Sequence, residues 1–426
     1  MCMGKPVDEV WFKEVKDICC KTEEVEWLQK NMQALNEEKE QFFSNEIENP
    51  LLTYRKPVYA AELVATTEAL IKRLTHEEHN EDVLDLYRRK LENQISRISL
   101  AVASGDGKDS DFYQASCKLY GKPAKKYFAY VAHQTVAMFK RVHDKELFAG
   151  KALYKTLSKI DGATLNISAD ILPPVVKKSR KVTSVDEAVA VFQETLDKLS
   201  ITDWTIVVDT QSNRSRFSIS AHSKKIFIPN QKQLDSRSKK MTMIQLQGLA
   251  EHEIGVHANR SHHGFHSNLQ LLSIGLDSYM RGEEGVASYV QQQVEGANEF
   301  YGLDRYLAAS LAVGMDGTKR DFRAVYELMF EYYQLHYADI GYDASFEQLQ
   351  QASWEVCVRI FRGTTGQTPG CIYTKDIVYL EGNVSIWHLL SDKPHAFPDF
   401  FVGKYNPLLK RHVRALRNLG IIQEDW

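Results

Sequence analysis

The chain of 426 residues carries 53 basic and 56 acidic residues, a net charge of −3 with histidine neutral, and is 43% hydrophobic and 26% charged. This is the composition of a globular protein with a substantial core, large enough for two or three domains, and it excludes the strongly basic balance of a nucleic-acid binder or membrane-surface protein. No stretch approaches the ~18–20 apolar residues of a membrane span, and the charged start MCMGKPVDEVWFKEVKD lacks the apolar run of a signal peptide. Six scattered cysteines (Cys2, Cys19, Cys20, Cys117, Cys357 and Cys371) show no C-x-x-C spacing, so reduced thiols and a cytoplasmic location are expected.

From Val7 to about Phe148 the sequence is rich in helix formers with apolar residues at helical spacing, as in AAELVATTEALIKRL and DVLDLYRRKLENQISRISLAVA. The segment ILPPVVKKSRKVTS interrupts this pattern with two prolines and a run of cations, placing a boundary near residue 180. Ser184 and Glu187 then form a capping box that opens the helix SVDEAVAVFQETLDKL. WTIVVDT, RFSISAH and KKIFIPN follow as three short strands of a small sheet. MIQLQGLAEHEIGVHAN reads as a helix, NRSHHGFHS as a glycine- and histidine-rich loop, and the remainder down to DIVYLEGNVSIWHLL as mainly helical. The expected fold is α+β: mostly helical, with a small β-sheet beside an H-E-x-x-x-H helix. The expected division is a helical region at 1–180 and a catalytic domain at 181–426. An edge strand beside such a helix can hold an extended peptide.

The chemistry concentrates in AEHEIGVHANR. Two histidines four apart share a helix face and bind zinc in H-E-x-x-H peptidases, but His252 and His257 are five apart. On a regular α-helix that spacing separates them by about 140°. A π-bulge, with roughly 4.4 residues per turn, returns them to one face, and Gly255 offers a residue that tolerates the distortion. A third ligand is required, and RGEEGVASYVQQ supplies Glu283 or Glu284. His262, His263 and His266 are rivals, although a solvated turn is the commoner role for such a cluster. A histidine pair with an intervening glutamate is, by itself, more often a polar cluster than a ligand set.

Several segments together resemble one family. HEIGVH is similar to the HEIGTH of the tyrosine carboxypeptidases that act on the α-tubulin tail and of bacterial relatives named after a QEGLA motif, and EEGVA at Glu283–Ala287 is similar to QEGLA itself. The likeness continues through VRIFRG, YTKDIVYLEG and, upstream, LYGKP. The resemblance implies zinc ligands at His252, His257 and Glu284 and a general base/acid at Glu253. Glu283 stands where glutamine is usual, Val256 where threonine is common and Val286 for leucine, so the ligands are kept while pocket shape is left open.

These readings lead to a zinc metallocarboxypeptidase that removes a C-terminal, tyrosine-like residue from a peptide or protein tail, acidic and tubulin-like if the host is eukaryotic. Arg359, Arg362 and Lys375 are candidates for binding the terminal carboxylate, since guanidinium groups pair with carboxylates bidentately. Tyr379 is a candidate hydrogen-bond donor to the oxyanion. Their alternative roles are exposed helix charge and, for Tyr379, core packing. Basic runs at YGKPAKKYF, VVKKSRK, SRSKK and KRHVRALR offer local positive surface. The competing expectation is a non-enzymatic, zinc-containing regulatory or binding protein on the same fold, which would have no need of Glu253.

Overall fold

The computed structural model describes residues 6–26, 32–143, 150–160, 167–176, 178–209, 217–235 and 241–423. Among the described residues, seven helices lie between Glu9 and Leu157; the end placed at Phe148 and the basic run SRSKK lie outside the described residues. The Ser184–Glu187 capping box is present and starts the helix Val185–Lys198. Three strands follow, β1 (Thr205–Asp209), β2 (Ser218–Ser220) and β3 (Lys225–Pro229). They form one mixed sheet in the order β1-β3-β2, with β3 parallel to β1 (Ile206 opposite Ile226) and antiparallel to β2 (Ile219 opposite Ile226).

A second capping box, Thr242 with Gln245, opens Met243–Ala250, which runs without a break into a π-helix over Glu251–Ala258 and an α-helix over Asn259–Phe265. This continuous active-site helix is wedged between two apolar layers. Leu246, Ala250, Ile254 and Ala258 pack with Phe192 and with Ile226 and Ile228 of the sheet, while Val256 faces Val286, Ala287, Ile386 and Phe400 on the other side. NRSHHGFHS was expected to be a loop, and its first seven residues are helical instead. Gly264, which reads as a helix breaker, is needed for space: a Cβ there would strike the Leu272 backbone.

The layer behind the active-site helix is a crossing of Met280–Glu295 with Ile377–Asp392. A Cβ on Gly285 would lie 2.6 Å from the Gly382 carbonyl oxygen, and one on Gly382 would strike the Arg281 carbonyl. The glycines of EEGVA and YLEG therefore allow two helix backbones to touch, which fixes the neighbouring Glu284 against the active-site helix. Two larger cores join sequence-distant helices. One packs Phe42, Phe128 and Val131 with Phe322, Trp354 and Trp387, and the other packs Trp11, Leu63 and Tyr87 with Leu271, Tyr405 and Leu416. The five described cysteines are free, and among the described residues no helix is long and apolar enough to cross a membrane.

Candidate metal centre

The distortion expected of the active-site helix is present as eight residues of π-helix, beginning at Glu251. Its wider turn brings the imidazoles of His252 and His257 to a centroid separation of 4.9 Å with their planes at 82°. Glu284 reaches in from Met280–Glu295, its Oε2 lying 3.9 Å from His252 Nε2 and 4.0 Å from His257 Nε2. Among the described residues this is the one group of three or more potential metal-ligating side chains whose donor atoms converge, all within 4.8 Å of one another. Two imidazoles and a carboxylate form a donor set that zinc takes in catalytic sites. The side chains of His252, His257 and Glu284 keep 15, 12 and 10% of their surface accessible, so the trio is largely but not fully buried.

Gly255 serves the helix in an unexpected way. Its φ is not positive, so conformational freedom is not what it provides. Instead the Glu251 carboxylate, which bonds Lys198 at 2.9 Å, folds over the position where a Cβ would be. Gly255→Val adds branched bulk there and stiffens the backbone of the wide turn. The Glu251 carboxylate would have to swing aside, and isothermal titration should show zinc binding weakened relative to the unsubstituted chain.

Charge within the site is organised by burial first and by pairing second. Burial, with the neighbouring His257, pushes His252 down to about 3, so its imidazole is neutral and its lone pair free for a metal. Burial likewise pushes the Glu253 carboxyl up to about 7, the Glu284 charge adding to the effect. Burial alone would depress His257, but its hydrogen bond to Glu283 and the surrounding carboxylates outweigh it and raise the value. Burial alone would raise Glu283, but Arg260, Lys404 and His257 hold it well below the usual carboxylate range.

Glu283, the alternative third ligand, faces away from the convergence point. Its Oε1 lies 3.0 Å from His257 Nδ1 and 3.5 Å from Lys404 Nζ, and its other oxygen accepts from Arg260. The rival histidines are also elsewhere. His262 meets Asp203 at 3.3 Å, and His263 Nδ1 lies 2.9 Å from the Phe401 carbonyl oxygen.

Three of the four residues expected to bind substrate, Arg359, Arg362 and Tyr379, cluster around Asp376. Arg359 Nε donates to one oxygen of that buried carboxylate at 2.7 Å, and Arg362 forms an ion pair with the other at 2.9 Å. The Tyr379 ring lies under the guanidiniums of Arg359 and Arg305, at 5.3 and 4.9 Å, and its phenol is close enough to Glu284 to feel that charge. Burial first, and then Glu284, push the Tyr379 hydroxyl well up, so it remains a donor. Arg305, whose charge also acts on Asp376, was missed from sequence: LDRYL offers no feature that sets its arginine apart. Two guanidiniums, those of Arg359 and Arg362, thus pair with one carboxylate.

Lys375, Arg362 and Tyr373 line a groove of about 970 Å³. The groove wall does not include the His252, His257 and Glu284 trio; Lys404, which lines it, lies 3.5 Å from Glu283. Ile219 of β2, Trp204, Lys90, Arg97 and Tyr279 line the groove as well. Ten lining residues are lysine or arginine and one, Glu23, is acidic, so the groove favours an anionic occupant. Among the described residues, Arg411 is the one cation that the basic runs noted in the sequence contribute to the groove, and that side chain is engaged by Asp277 at 2.9 Å.

Compared with known families, residues 40–426 match the sequence model of one described as microtubule-associated tyrosine carboxypeptidase. No curated protein and no solved structure matches the chain.

Proposed function

The chain belongs to the microtubule-associated tyrosine carboxypeptidase family, and from that premise we propose that it is a zinc-dependent carboxypeptidase removing a C-terminal aromatic residue, tyrosine by preference, from an acidic peptide or protein tail. The observation that carries this reading is the convergence of His252, His257 and Glu284 on one point, with Glu253 between the two histidines. In this reading residues 181–426 carry the chemistry, and helices from 1–180 supply part of the groove wall through Lys90, Arg97 and Tyr120.

When bound, zinc would polarise the scissile carbonyl and make an attacking water acidic near neutral pH. Glu253 takes a proton from that water and passes it to the leaving amine, a role suited to a carboxyl poised near 7 in the metal-free site. Tyr379 donates a hydrogen bond to the developing oxyanion, held in place by Arg359 and Arg305 on its ring. Arg362 faces the groove while Arg359 does not, so Arg362 is the guanidinium assigned to the substrate's terminal carboxylate, with Lys375 beside it. Arg359 fixes Asp376 and Tyr379. The β2 edge, with Ile219 on the groove, can pair with the extended backbone of the tail. A panel of peptides differing only in the last residue tests the specificity: tyrosine and phenylalanine should be released fastest, and indifference to that residue would contradict the aromatic preference.

Several of the groove cations are matched by carboxylates on the protein side, such as Arg281 by Glu381 at 2.7 Å. Lys90 is different. It is 3% exposed, donates to the Ile274 carbonyl at 3.1 Å, and has no carboxylate partner among the described residues. Burial lowers its pKa, which means the charged form is costly to the fold. Lys90→Met should therefore hold or raise the melting temperature. If Lys90 meets an acidic side chain of the tail, a charged hydrogen bond worth about 1.5–3 kcal/mol is lost. Affinity for a glutamate-rich peptide should then fall roughly ten- to a hundred-fold, with a glutamine-substituted peptide much less affected. Equal losses for both peptides would exclude this role.

A further inference from the structure

We propose that Glu283 is the positioning residue of the metal centre: its carboxylate fixes the ring orientation and tautomer of His257 so that Nε2 faces the metal, and Arg260 and Lys404 hold that carboxylate in place. The inference rests on the metal reading above and concerns residues that bind neither metal nor substrate in it.

The contacts form a closed chain. His257 Nδ1 is 3.0 Å from Glu283 Oε1, so a proton on Nδ1 is donated to the carboxylate and the Nε2 lone pair is left facing Glu284 and His252. The other Glu283 oxygen accepts from Arg260, and Lys404 lies 3.5 Å from the first. Arg260 is fully buried and cannot swing away: it also donates to the Tyr405 carbonyl at 2.7 Å, with its guanidinium 5.5 Å from the Tyr405 ring. Burying an arginine, a lysine and a glutamate together is costly unless their geometry is used. Here it orients a ligand, as outer carboxylates do for metal-bound histidines.

The two histidines are supported unequally. His252 Nδ1 is buried without a hydrogen bond, and what faces its ring is the neutral amide of Gln291, itself tied to Glu295 at 2.7 Å. His257 therefore has an anionic support and His252 does not. A glutamine at position 283, as in the motif EEGVA resembles, could still accept from His257. Its amide NH2 would then face Arg260, and Lys404 beside the remaining oxygen would lose its anion, leaving two buried cations without a counter-charge.

The test uses the full-length chain, with zinc affinity read by competition against a chromophoric chelator, cobalt(II) absorption as a report of coordination geometry, and melting temperature recorded alongside. Glu283→Gln keeps an acceptor for His257 and removes the charge. Glu283→Asp keeps the charge for Arg260 and withdraws it from His257 by one methylene, so it remains informative if the glutamine variant folds poorly. Both should bind zinc about 10- to 100-fold more weakly with an altered cobalt spectrum, and Gln291→Ala should lose less than either. Wild-type affinity in both Glu283 variants would overturn the proposal, as would a lowered melting temperature with unchanged affinity, which would assign Glu283 to the fold alone. A wild-type chain that binds neither zinc nor cobalt would overturn the metal reading together with it.

Discussion

Replacing Glu253 by glutamine is expected to leave about one zinc per chain in place and to slow peptide cleavage roughly a hundred- to ten-thousand-fold, the usual contribution of a positioned acid or base. Glu253 lies within the π-helical turn between the two histidines but is not one of the converging donors. Glutamine has nearly the same shape and cannot accept the water's proton. Glu284→Ala should behave differently, since it deletes one of the three converging donor atoms. Metal should be lost from that variant along with activity. Metal analysis beside single-turnover cleavage separates the two. Full turnover by Glu253→Gln would remove Glu253 from the mechanism, and full zinc content in Glu284→Ala would remove Glu284 from the ligand set.

The second large effect concerns the end of the substrate. An enzyme that removes a terminal residue binds the charge of its carboxylate, so amidating an otherwise identical acidic, tyrosine-ended peptide strands a cation that expected a partner. Such losses cost about 2–5 kcal/mol, which is roughly thirty-fold to several thousand-fold in rate at about 1.4 kcal/mol per factor of ten. Arg359 and Arg362 both pair with the single carboxylate of Asp376, so the cluster has positive charge to spare for a second anion. Arg362→Ala should slow the free acid far more than the amide and so erase most of the discrimination. Arg359→Ala should slow both, through displacement of Asp376 and Tyr379. Equal cleavage of acid and amide by the unsubstituted chain would contradict the carboxypeptidase assignment.

What could be read in advance was what lies close together in sequence. The five-residue spacing of His252 and His257 demanded a wide helical turn, and the π-helix supplies it. The capping box at Ser184 and the β-branched runs marked the helix and sheet that follow. Glycines were less transparent, because sequence does not reveal what packs against them. Gly255 makes room for Glu251, Gly264 for the Leu272 backbone, and Gly285 for Gly382 on another helix. Support for the site was the least legible, since it is built from distant segments. Arg260 and Lys404 meet at Glu283 only in the folded chain, and Asp376, which ties Arg359 to Arg362, looks in YTKDIVYLEG like any helix-capping acid.

The most direct test of the whole account is to incubate the metal-free protein with an acidic peptide ending in tyrosine, with and without added zinc, and to follow the peptide mass. The account predicts a product lighter by one tyrosine, formed only when zinc is present, abolished again by chelator, and absent with Glu253→Gln. Cleavage that proceeds equally without metal, or products cut well inside the peptide, would contradict it.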